Sequence, residues 1–282
     1  MSKGFLTVAQ NTNQIDYVRL AYAQALSIKA TQPIVNKYAV MITPGTAIPD
    51  KYKLVFDEII DVPWRDMSSG TRKFENEWKT YHITPWTETI KVESDILFTA
   101  DIINWWNMLT AKDLWFTSDV CTYRNEIIHS RACRELFDNN QLPNLYNGFM
   151  FFKKCDLSHQ FFEAAETIFK NFTSFSTQTL DKSRPIWPDT DTVYAMAVKL
   201  LEIESLVMKR NHCVPTFVHM KAELQNWMSY DSHDWTNQVH VTLTDNLELK
   251  INMCKQNLPF HYHVKSFVTE EIIGKYERHL GI

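Results

Sequence analysis

The order of apolar segments near the start of the chain constrains the fold more than any other feature. Residues 4–10, 38–43 and 58–62 are short apolar runs of strand length, and the last two end at prolines. Asp16 precedes apolar residues that recur at helical spacing over residues 17–30, and its carboxylate can accept the free amides of the first turn. This strand–helix–strand–strand order predicts an α/β fold with a mostly parallel central sheet flanked by helices.

The remainder of the chain continues the alternation without a convincing linker. A Ser/Thr-rich segment, residues 171–184, is predicted to be a loop. We expect one main domain over residues 1–225 and a C-terminal appendage over residues 226–282 that packs on it. The other predicted elements are strands at 89–92, 114–117, 146–152 and 215–218, helices at 104–109, 157–170, 191–204 and 269–279, and a hairpin at 239–242 and 247–251.

Composition excludes several classes of protein. The formal net charge of −4 argues against a general basic coat for nucleic acid. The five cysteines include no CxxC pair, and the six glycines form neither a GxGxxG motif nor a Walker loop, which disfavours zinc-ribbon, dinucleotide and P-loop folds. Because no apolar run reaches the ~18 residues of a membrane span and no signal peptide is evident, we expect a cytoplasmic protein with free thiols.

The triplet Glu93-Ser94-Asp95 follows the strand predicted at 89–92 and is the most informative motif. Acidic side chains at positions i and i+2 of an extended segment point the same way, so both can bind one divalent cation. Mg²⁺ or Mn²⁺ held there can bridge to a diphosphate and neutralise charge on a leaving group. Such triplets are also common in solvated turns, and that alternative stays open.

Two other segments carry residue types that suit such a site. His219 and Lys221 leave the last predicted core strand, where they can supply a metal ligand and a phosphate contact. A lone histidine is nevertheless more often structural. Asn147-Gly148 interrupts an apolar strand, which indicates either close approach of a ligand or a bulge.

A second pair of carboxylates, Asp189 and Asp191, stands at the start of a predicted helix. Aspartate is a favoured N-cap, because its side chain accepts the unpaired amides of the first turn. We therefore expect one of the two to cap the helix and the other to face a ligand.

In their order along the chain, these segments resemble the glycogenin- and galactosyltransferase-type family (family 8 type) of retaining glycosyltransferases, which have the GT-A fold. That family has a Thr and an Asn-like loop at the first strand, an Asp-X-Asp metal triplet, an Asn-(small)-Gly strand, an Asp-Gln-Asp helix start and a His-X-Gly-X-X-Lys segment. This chain departs from the pattern at Glu93 and Thr190, and it lacks the Gly after His219. The matching stretches cover about residues 1–222 and are Thr7-Val8-Ala9-Gln10-Asn11, Glu93-Ser94-Asp95, Tyr146-Asn147-Gly148-Phe149, Asp189-Thr190-Asp191 and His219-Met220-Lys221.

The resemblance implies a metal-dependent glycosyltransferase that moves a sugar from a nucleoside-diphosphate sugar to an acceptor hydroxyl and retains the anomeric configuration. Residues 1–225 would then form the catalytic domain. By the resemblance, Asp95 and His219 would bind Mn²⁺ or Mg²⁺ with help from Glu93, and Lys221 would contact the diphosphate. Thr7 and Asn11 would contact the base and ribose, and Asn147 and Gly148 would line the sugar site. Asp191, and less directly Asp189, would face the donor sugar and the acceptor hydroxyl.

Residues 94–99, Ser-Asp-Ile-Leu-Phe-Thr, also resemble a stretch of proteins encoded by tailed phages. A phage origin suggests a hydroxymethylated pyrimidine in DNA as acceptor, which we rank first, or else a glycan or protein. Trp64, Trp86 or Trp187 is available to stack on an extruded base. Cationic residues available for phosphate contacts are Arg65, Arg72, Lys73, Lys79, Arg124, Arg131, Arg134, Lys182 and Arg184, although scattered surface charges are normal.

Two other functions fit the same residues. Glu93 and the missing glycine after His219 suggest a catalytically silent nucleotide-sugar-binding protein. A nucleotidyltransferase also uses paired carboxylates with a metal, but it normally has a Gly-rich or Lys-bearing first loop, whereas residues 10–13 are Gln-Asn-Thr-Asn. Product analysis separates the three, because they yield a nucleoside diphosphate, no product and pyrophosphate respectively.

Overall fold

A six-stranded sheet in the order β3-β2-β1-β4-β7-β6 forms the centre of the protein. The computed structural model describes residues 2–68, 73–128, 134–180, 187–209, 215–221 and 235–282. Within these ranges the strands are β1 (Lys3–Ala9), β2 (Tyr38–Ile42), β3 (Glu58–Asp61), β4 (Glu88–Val92), β5 (Ile96–Leu97), β6 (Leu114–Thr117), β7 (Tyr146–Lys153), β8 (Val218–His219), β9 (Val241–Leu243), β10 (Leu249–Ile251), β11 (Cys254–Lys255) and β12 (Phe260–His261).

The central sheet is mostly parallel, as predicted. Strand β1 pairs in parallel with β2 and β4, and β2 pairs in parallel with β3, whereas β7 runs antiparallel to both β4 and β6. The carboxyl ends of β1, β2 and β4 therefore meet at one edge of the sheet, which is where α/β sheets place their ligand sites.

Helices cover the sheet on both faces. They are α1 (Tyr17–Thr31), α2 (Asp50–Lys53), α3 (Thr80–Ile83), α4 (Ile103–Leu109), α5 (Glu135–Asn139), α6 (Asp156–Lys170), α7 (Phe172–Thr179), α8 (Thr190–Leu200), α9 (Glu204–Val207) and α10 (Glu270–Leu280). The predicted cap at Asp16 is confirmed, since Asp16 accepts from the Arg19 amide at 3.0 Å. Thr269 caps α10 in the same way and accepts from the Ile272 amide at 3.3 Å. No helix within the described ranges combines the length and the apolar character that crossing a membrane needs.

The core lies in two layers because successive side chains of a strand point to opposite faces. In β7, Phe149 and Phe151 pack with α1 and the C-terminal segment, while Met150 and Phe152 pack with α6 and α8. All four side chains are fully buried. A strand that is buried on both faces reads as a continuous apolar run, which is the pattern of residues 146–152.

Residues 235–282 are joined to the main sheet region through β12. This strand lies between β5 and β8 in a three-stranded sheet, antiparallel to β5 and parallel to β8. The hairpin predicted in the tail is present as β9 and β10, and β11 extends it to three strands. The C-terminal segment thus reaches the turn that follows β4.

Three predicted elements differ from the structure. The loop prediction for 171–184 is wrong over Phe172–Thr179, which is helix α7. Its threonine hydroxyls bond back to carbonyls four residues earlier, as Thr177 does to Thr173 at 2.7 Å, so the polar composition does not break the helix. The strand predicted at 215–218 is reduced to Val218–His219, and the helix predicted at 191–204 is divided into α8 and α9.

Candidate active site

A cavity of about 360 Å³ opens at the carboxyl ends of β1 and β4. It brings together side chains from the central sheet, the start of α8 and the C-terminal segment. Its lining residues are Val8, Gln10, Tyr17, Lys73, Phe74, Glu77, Lys91, Val92, Glu93, Ser94, Asp95, Asp189, Thr190, Asp191, His219, Lys221, His261, His263 and Lys265. Six of the ten site residues predicted from the sequence therefore line one cavity: Glu93, Asp95, Asp189, Asp191, His219 and Lys221. Asn147 and Gly148 do not line it, but both lie beside Glu93.

The two acidic residues of the predicted triplet converge on one imidazole. Glu93 directly follows β4, and the chain then turns so that Asp95 precedes β5. The Nε2 atom of His261 lies 2.9 Å from Asp95 Oδ2 and 3.6 Å from Glu93 Oε2. The side chain of Asp95 is only 7% exposed, whereas that of Glu93 is one-third exposed to the cavity. Two carboxylates that reach the same point form the start of a cation site.

The C-terminal segment supplies three site residues that sequence reasoning missed. His261, His263 and Lys265 stand at alternate positions in and after β12, and all three line the cavity. One ligand atom from each of Asp95, His261 and His263 lies within 4.8 Å of the others. The backbone of His263 has a φ of 59°, a left-handed conformation that is uncommon for histidine and turns the chain at the cavity. The His-X-His-X-Lys spacing was the available signal, since alternate residues of an extended segment share a face.

Electrostatics keep Asp95 ionised. Burial raises the pKa of this carboxyl, but His261 and Lys265 outweigh burial, and the pKa lies well below its usual range. The ammonium group of Lys265 contacts the same carboxylate oxygen as His261. Burial lowers the pKa of His261, while Asp95 and Glu93 raise it, and the net shift is upward. The cluster therefore holds a fixed negative charge that is balanced by neighbouring cationic groups.

The residues present fit a divalent cation. Asp95 offers an ionised carboxylate, and burial together with the charge of His261 lowers the pKa of His263 to about 3, so its imidazole is neutral and can coordinate. His261 Nδ1 is buried and has no hydrogen-bond partner among the residues that the structure describes. A donor set of carboxylate and imidazole suits Mn²⁺ better than Mg²⁺, which prefers oxygen ligands and water.

His219 lies beside this cluster. Its ring centroid is 4.7 Å from that of His261, and its ring stacks on Phe217 at 5.7 Å. Burial and the charge of His261 place the pKa of His219 well below its usual value, so the imidazole is neutral. The structure thus puts His219, which was predicted as a metal ligand, next to the group Asp95, His261 and His263. Lys221 lines the same cavity two residues later.

A buried lysine on β4 organises the floor of the cavity. Lys91 is fully buried, and its Nζ lies 2.6 Å from Glu77 Oε2 and donates to Asn147 Oδ1 at 3.1 Å. The side-chain nitrogen of Asn147, Nδ2, in turn donates to Glu93 Oε1 at 3.4 Å. Lys91, Glu93 and Asn147 therefore form one polar chain under the site.

Of the two alternatives that the sequence left open at Asn147-Gly148, a bulge is present. In the pairing of β6 with β7, Phe116 is opposite Met150 but Thr117 is opposite Tyr146, so β7 carries extra residues at this point. A Cβ atom on Gly148 would lie 2.9 Å from the Phe217 ring. Only glycine lets that ring pack here without a shift, and the bulge turns Asn147 toward Glu93.

The two aspartates at α8 have different surroundings. Asp189 is the N-cap and accepts from the Thr192 amide at 3.0 Å. Asp191 accepts from the Asn147 amide at 2.7 Å and from Arg134 Nη1 at 2.8 Å. Asp191 is thereby fixed against the bulge of β7. Both aspartates line the cavity, and the prediction that one of them caps the helix is confirmed for Asp189.

Thr7 and Asn11, predicted to contact the nucleotide, use their polar atoms within the protein. The Thr7 hydroxyl is fully buried and donates to the Val92 carbonyl at 2.8 Å. Asn11 Oδ1 accepts from the Val18 amide at 2.9 Å and so supports the first turn of α1. Gln10, which lies between them in the sequence, lines the cavity.

Comparisons with known proteins give similarity of structure alone. No family model matches the sequence, and no curated protein matches it. A galactosyltransferase, LgtC, solved with donor and acceptor sugar analogues, is 10% identical over 70% of each chain, with a TM-score of 0.46. Mouse xyloside xylosyltransferase 1 is 10% identical over 74% of this chain and 84% of its own, with a TM-score of 0.46.

A nucleotide-diphospho-sugar transferase structure from Desulfovibrio desulfuricans is 14% identical over 74% of this chain and 79% of its own, with a TM-score of 0.37. At these identities and scores the similarity assigns no activity to this chain. The function is therefore argued from the site itself.

Proposed function

We propose that the protein is a metal-dependent glycosyltransferase that binds a nucleoside-diphosphate sugar in the cavity at the ends of β1 and β4. The observation that carries this proposal is the convergence of Glu93, Asp95 and His261 on one point. Ammonium groups of Lys221 and Lys265 line the same cavity. Carboxylates and imidazoles suit a divalent cation, and the ammonium groups suit the phosphates that such a cation would bind.

Leaving-group stabilisation is the chemical role of this cluster. When bound, Mn²⁺ or Mg²⁺ neutralises negative charge that develops on the departing diphosphate. Asp95, His261 and His263 are the residues that would hold it, with Glu93 and His219 adjacent. Lys265 contacts the same oxygen of Asp95 as His261, and both Lys265 and Lys221 line the cavity. Their ammonium groups would contact the phosphates of the donor.

The sugar is proposed to lie against the bulge of β7. Asn147, Gly148 and Asp191 meet there, and Asp191 is oriented by the Asn147 amide and Arg134. Asp191 is therefore the stronger candidate for contact with the donor sugar and the acceptor hydroxyl, because the Asp189 carboxylate caps α8. Retention of the anomeric configuration follows from the family resemblance and is part of this proposal.

The nucleotide is proposed to lie at the end of β1. Gln10 and Tyr17 line the cavity there. We assign the base and ribose to these two residues in preference to Thr7 and Asn11, whose polar side-chain atoms already bond to Val92 and Val18.

Two of the cationic side chains that were named as phosphate contacts for a DNA acceptor bind other groups of the protein instead. Lys79 Nζ donates to the Pro63 and Arg65 carbonyls, and Arg134 binds Asp191. The acceptor in DNA stays a prediction, and these contacts favour the glycan alternative. Four other cationic residues named from the sequence lie outside the described residues: Arg72, Arg131, Lys182 and Arg184.

The test is hydrolysis of nucleotide sugars in the absence of acceptor, with and without Mn²⁺. We expect Asp95→Asn to abolish metal-dependent release of the nucleoside diphosphate. Asp50→Asn is the matched control, since the Asp50 side chain is 97% exposed and pairs with a surface lysine, Lys53. Full turnover by Asp95→Asn contradicts the proposal, and binding without turnover indicates a silent protein. In a parallel assay with a nucleoside triphosphate and a sugar 1-phosphate, release of pyrophosphate indicates a nucleotidyltransferase.

A further inference from the structure

A second cavity, of about 780 Å³, lies beyond the end of β3 and is separate from the candidate active site. The loop after β3, the 3₁₀ turn at Glu77–Lys79 and α6 form its walls. Asp66 lines this cavity and accepts from Gln10 Nε2 at 3.2 Å, and Gln10 lines the candidate active site. The two cavities therefore share one wall.

An exposed tryptophan forms the platform of the second cavity. Trp64 is 67% exposed, and its ring stacks on the buried Trp78 with ring centroids 5.6 Å apart and ring planes inclined by 13°. The backbone φ of Trp64 is 56°, which is rare for a bulky residue and usually persists only where the surroundings impose it.

Buried Lys79 imposes that conformation. Its ammonium group donates to the carbonyl oxygens of Pro63 and Arg65, the residues on either side of Trp64, at 3.0 and 2.6 Å. The indole is thus held rigidly at the surface with one face open, and a rigid amphipathic ring is an effective binding surface at low entropic cost.

Two polar atoms in the wall are available for a ligand. Trp78 Nε1 and His82 Nε2 are buried, and neither has a hydrogen-bond partner within the described part of the chain. Burial lowers the pKa of His82, so its ring is neutral at pH 7 and can donate or accept according to tautomer. Buried polar groups are normally paired, so this wall suits a ligand that carries its own donors and acceptors.

The charges around the cavity balance. Arg65 and Lys170 supply positive charge, and Asp66 and Glu166 supply negative charge. Glu166 pairs directly with Lys170. A nucleic acid brings a phosphate with each base and gains from unpaired cations. The lining residues that the structure describes offer no excess cation apart from Lys79, whose ammonium group bonds to two carbonyls of the loop. The balance favours a neutral ligand.

We propose that the Trp64 cavity is a binding site for a neutral saccharide, with a pyranose ring lying on the Trp64 indole and its hydroxyls bonded to Trp78 and His82. The role of this site rests on the proposed function, which it extends. A glycan acceptor would be held here by one sugar unit while another unit reaches the adjoining active site. Saccharide binding itself requires neither metal nor nucleotide.

The test is calorimetric titration of the full chain, without metal or nucleotide, with neutral gluco-, manno-, galacto- and chito-tetrasaccharides. We expect at least one to bind and Trp64→Ala to weaken its binding about tenfold, because roughly 60 Å² of apolar contact is lost with one indole face. His82→Phe keeps an aromatic ring at this position but removes both ring nitrogens, and we expect it to weaken binding as well. Leu54→Ala, at an apolar residue that is 75% exposed elsewhere, is expected to have no effect.

Metal-dependent donor hydrolysis by Trp64→Ala is expected to equal that of the unmodified chain. Absence of binding by all four tetrasaccharides at millimolar concentration overturns the proposal, as does binding that Trp64→Ala leaves unchanged. Preferential, Trp64-dependent binding of a hydroxymethylcytosine oligonucleotide also overturns it. Saccharide binding without any donor hydrolysis leaves this site in place and contradicts the proposed function alone.

Discussion

Lys91→Met is expected to destabilise the protein by about 3–5 kcal/mol, although methionine preserves most of the apolar stem. Lys91 is fully buried, and its ammonium group lies 2.6 Å from Glu77 Oε2. Without the ammonium group, the Glu77 carboxylate, which is 10% exposed, stays buried without its counter-charge, and breaking such pairs costs about 3–5 kcal/mol. For a chain of this length we expect the melting temperature to fall by roughly 6–10 °C.

Urea and thermal unfolding measure this loss, and a double variant isolates its cause. Adding Glu77→Gln to Lys91→Met removes the orphaned charge and is expected to restore part of the stability. Lys53→Met is the control, because Lys53 is half exposed and pairs with exposed Asp50, so we expect a change of at most about 0.5 kcal/mol. A loss below about 1 kcal/mol for Lys91→Met, or no recovery in the double variant, refutes the reasoning.

Three other substitutions test the fold. Burial raises the pKa of Asp57, but hydrogen bonds from two lysines outweigh burial and lower the pKa. Asp57→Asn is therefore expected to destabilise the protein near pH 7. The difference in unfolding free energy between the variant and the unmodified chain, measured by urea titration, should shrink as the pH falls through the carboxyl range. In Gly4→Ala the new Cβ would lie 2.5 Å from the Trp86 indole, so unfolding free energy should fall by about 1–3 kcal/mol. Gly274→Ala, inside α10, should instead gain about 0.4–1 kcal/mol; equal effects of the two alanines would contradict the packing argument.

The sheet could be predicted because its signals are local. The apolar runs at 4–10 and 38–43 and the Asp16-capped helix between them agree with β1, β2 and α1 to within a residue or two at each end. Helix α7 was missed for a physical reason, since its serine and threonine side chains are satisfied by the preceding turn and Phe172 is buried by tertiary packing. Composition alone does not report that packing.

The site was predicted only in part because its contacts are distant in sequence. Glu93 and Asp95 adjoin one strand and were found from their spacing, but His261 and Lys265 reach Asp95 across more than 160 residues through the pairing of β12 with β5. The two-residue strand β12 is too short to be recognised from an apolar alternation, so the His-X-His-X-Lys spacing was the one signal that pointed to it. Asn11 shows the converse, because its local position suggested a ligand contact while the structure uses its oxygen to support α1.

The most direct measurement of the central claim is the melting temperature with UDP, GDP, CMP and ADP, each with and without Mn²⁺, for the unmodified chain and for Asp95→Asn. At a hundred times the Kd, a ligand that binds only the folded state adds about 2.7 kcal/mol, which is roughly a 5 °C rise. The account predicts such a rise for one nucleotide, dependent on Mn²⁺ and absent in Asp95→Asn. A rise of the same size in Asp95→Asn, or no rise with any nucleotide, would contradict it.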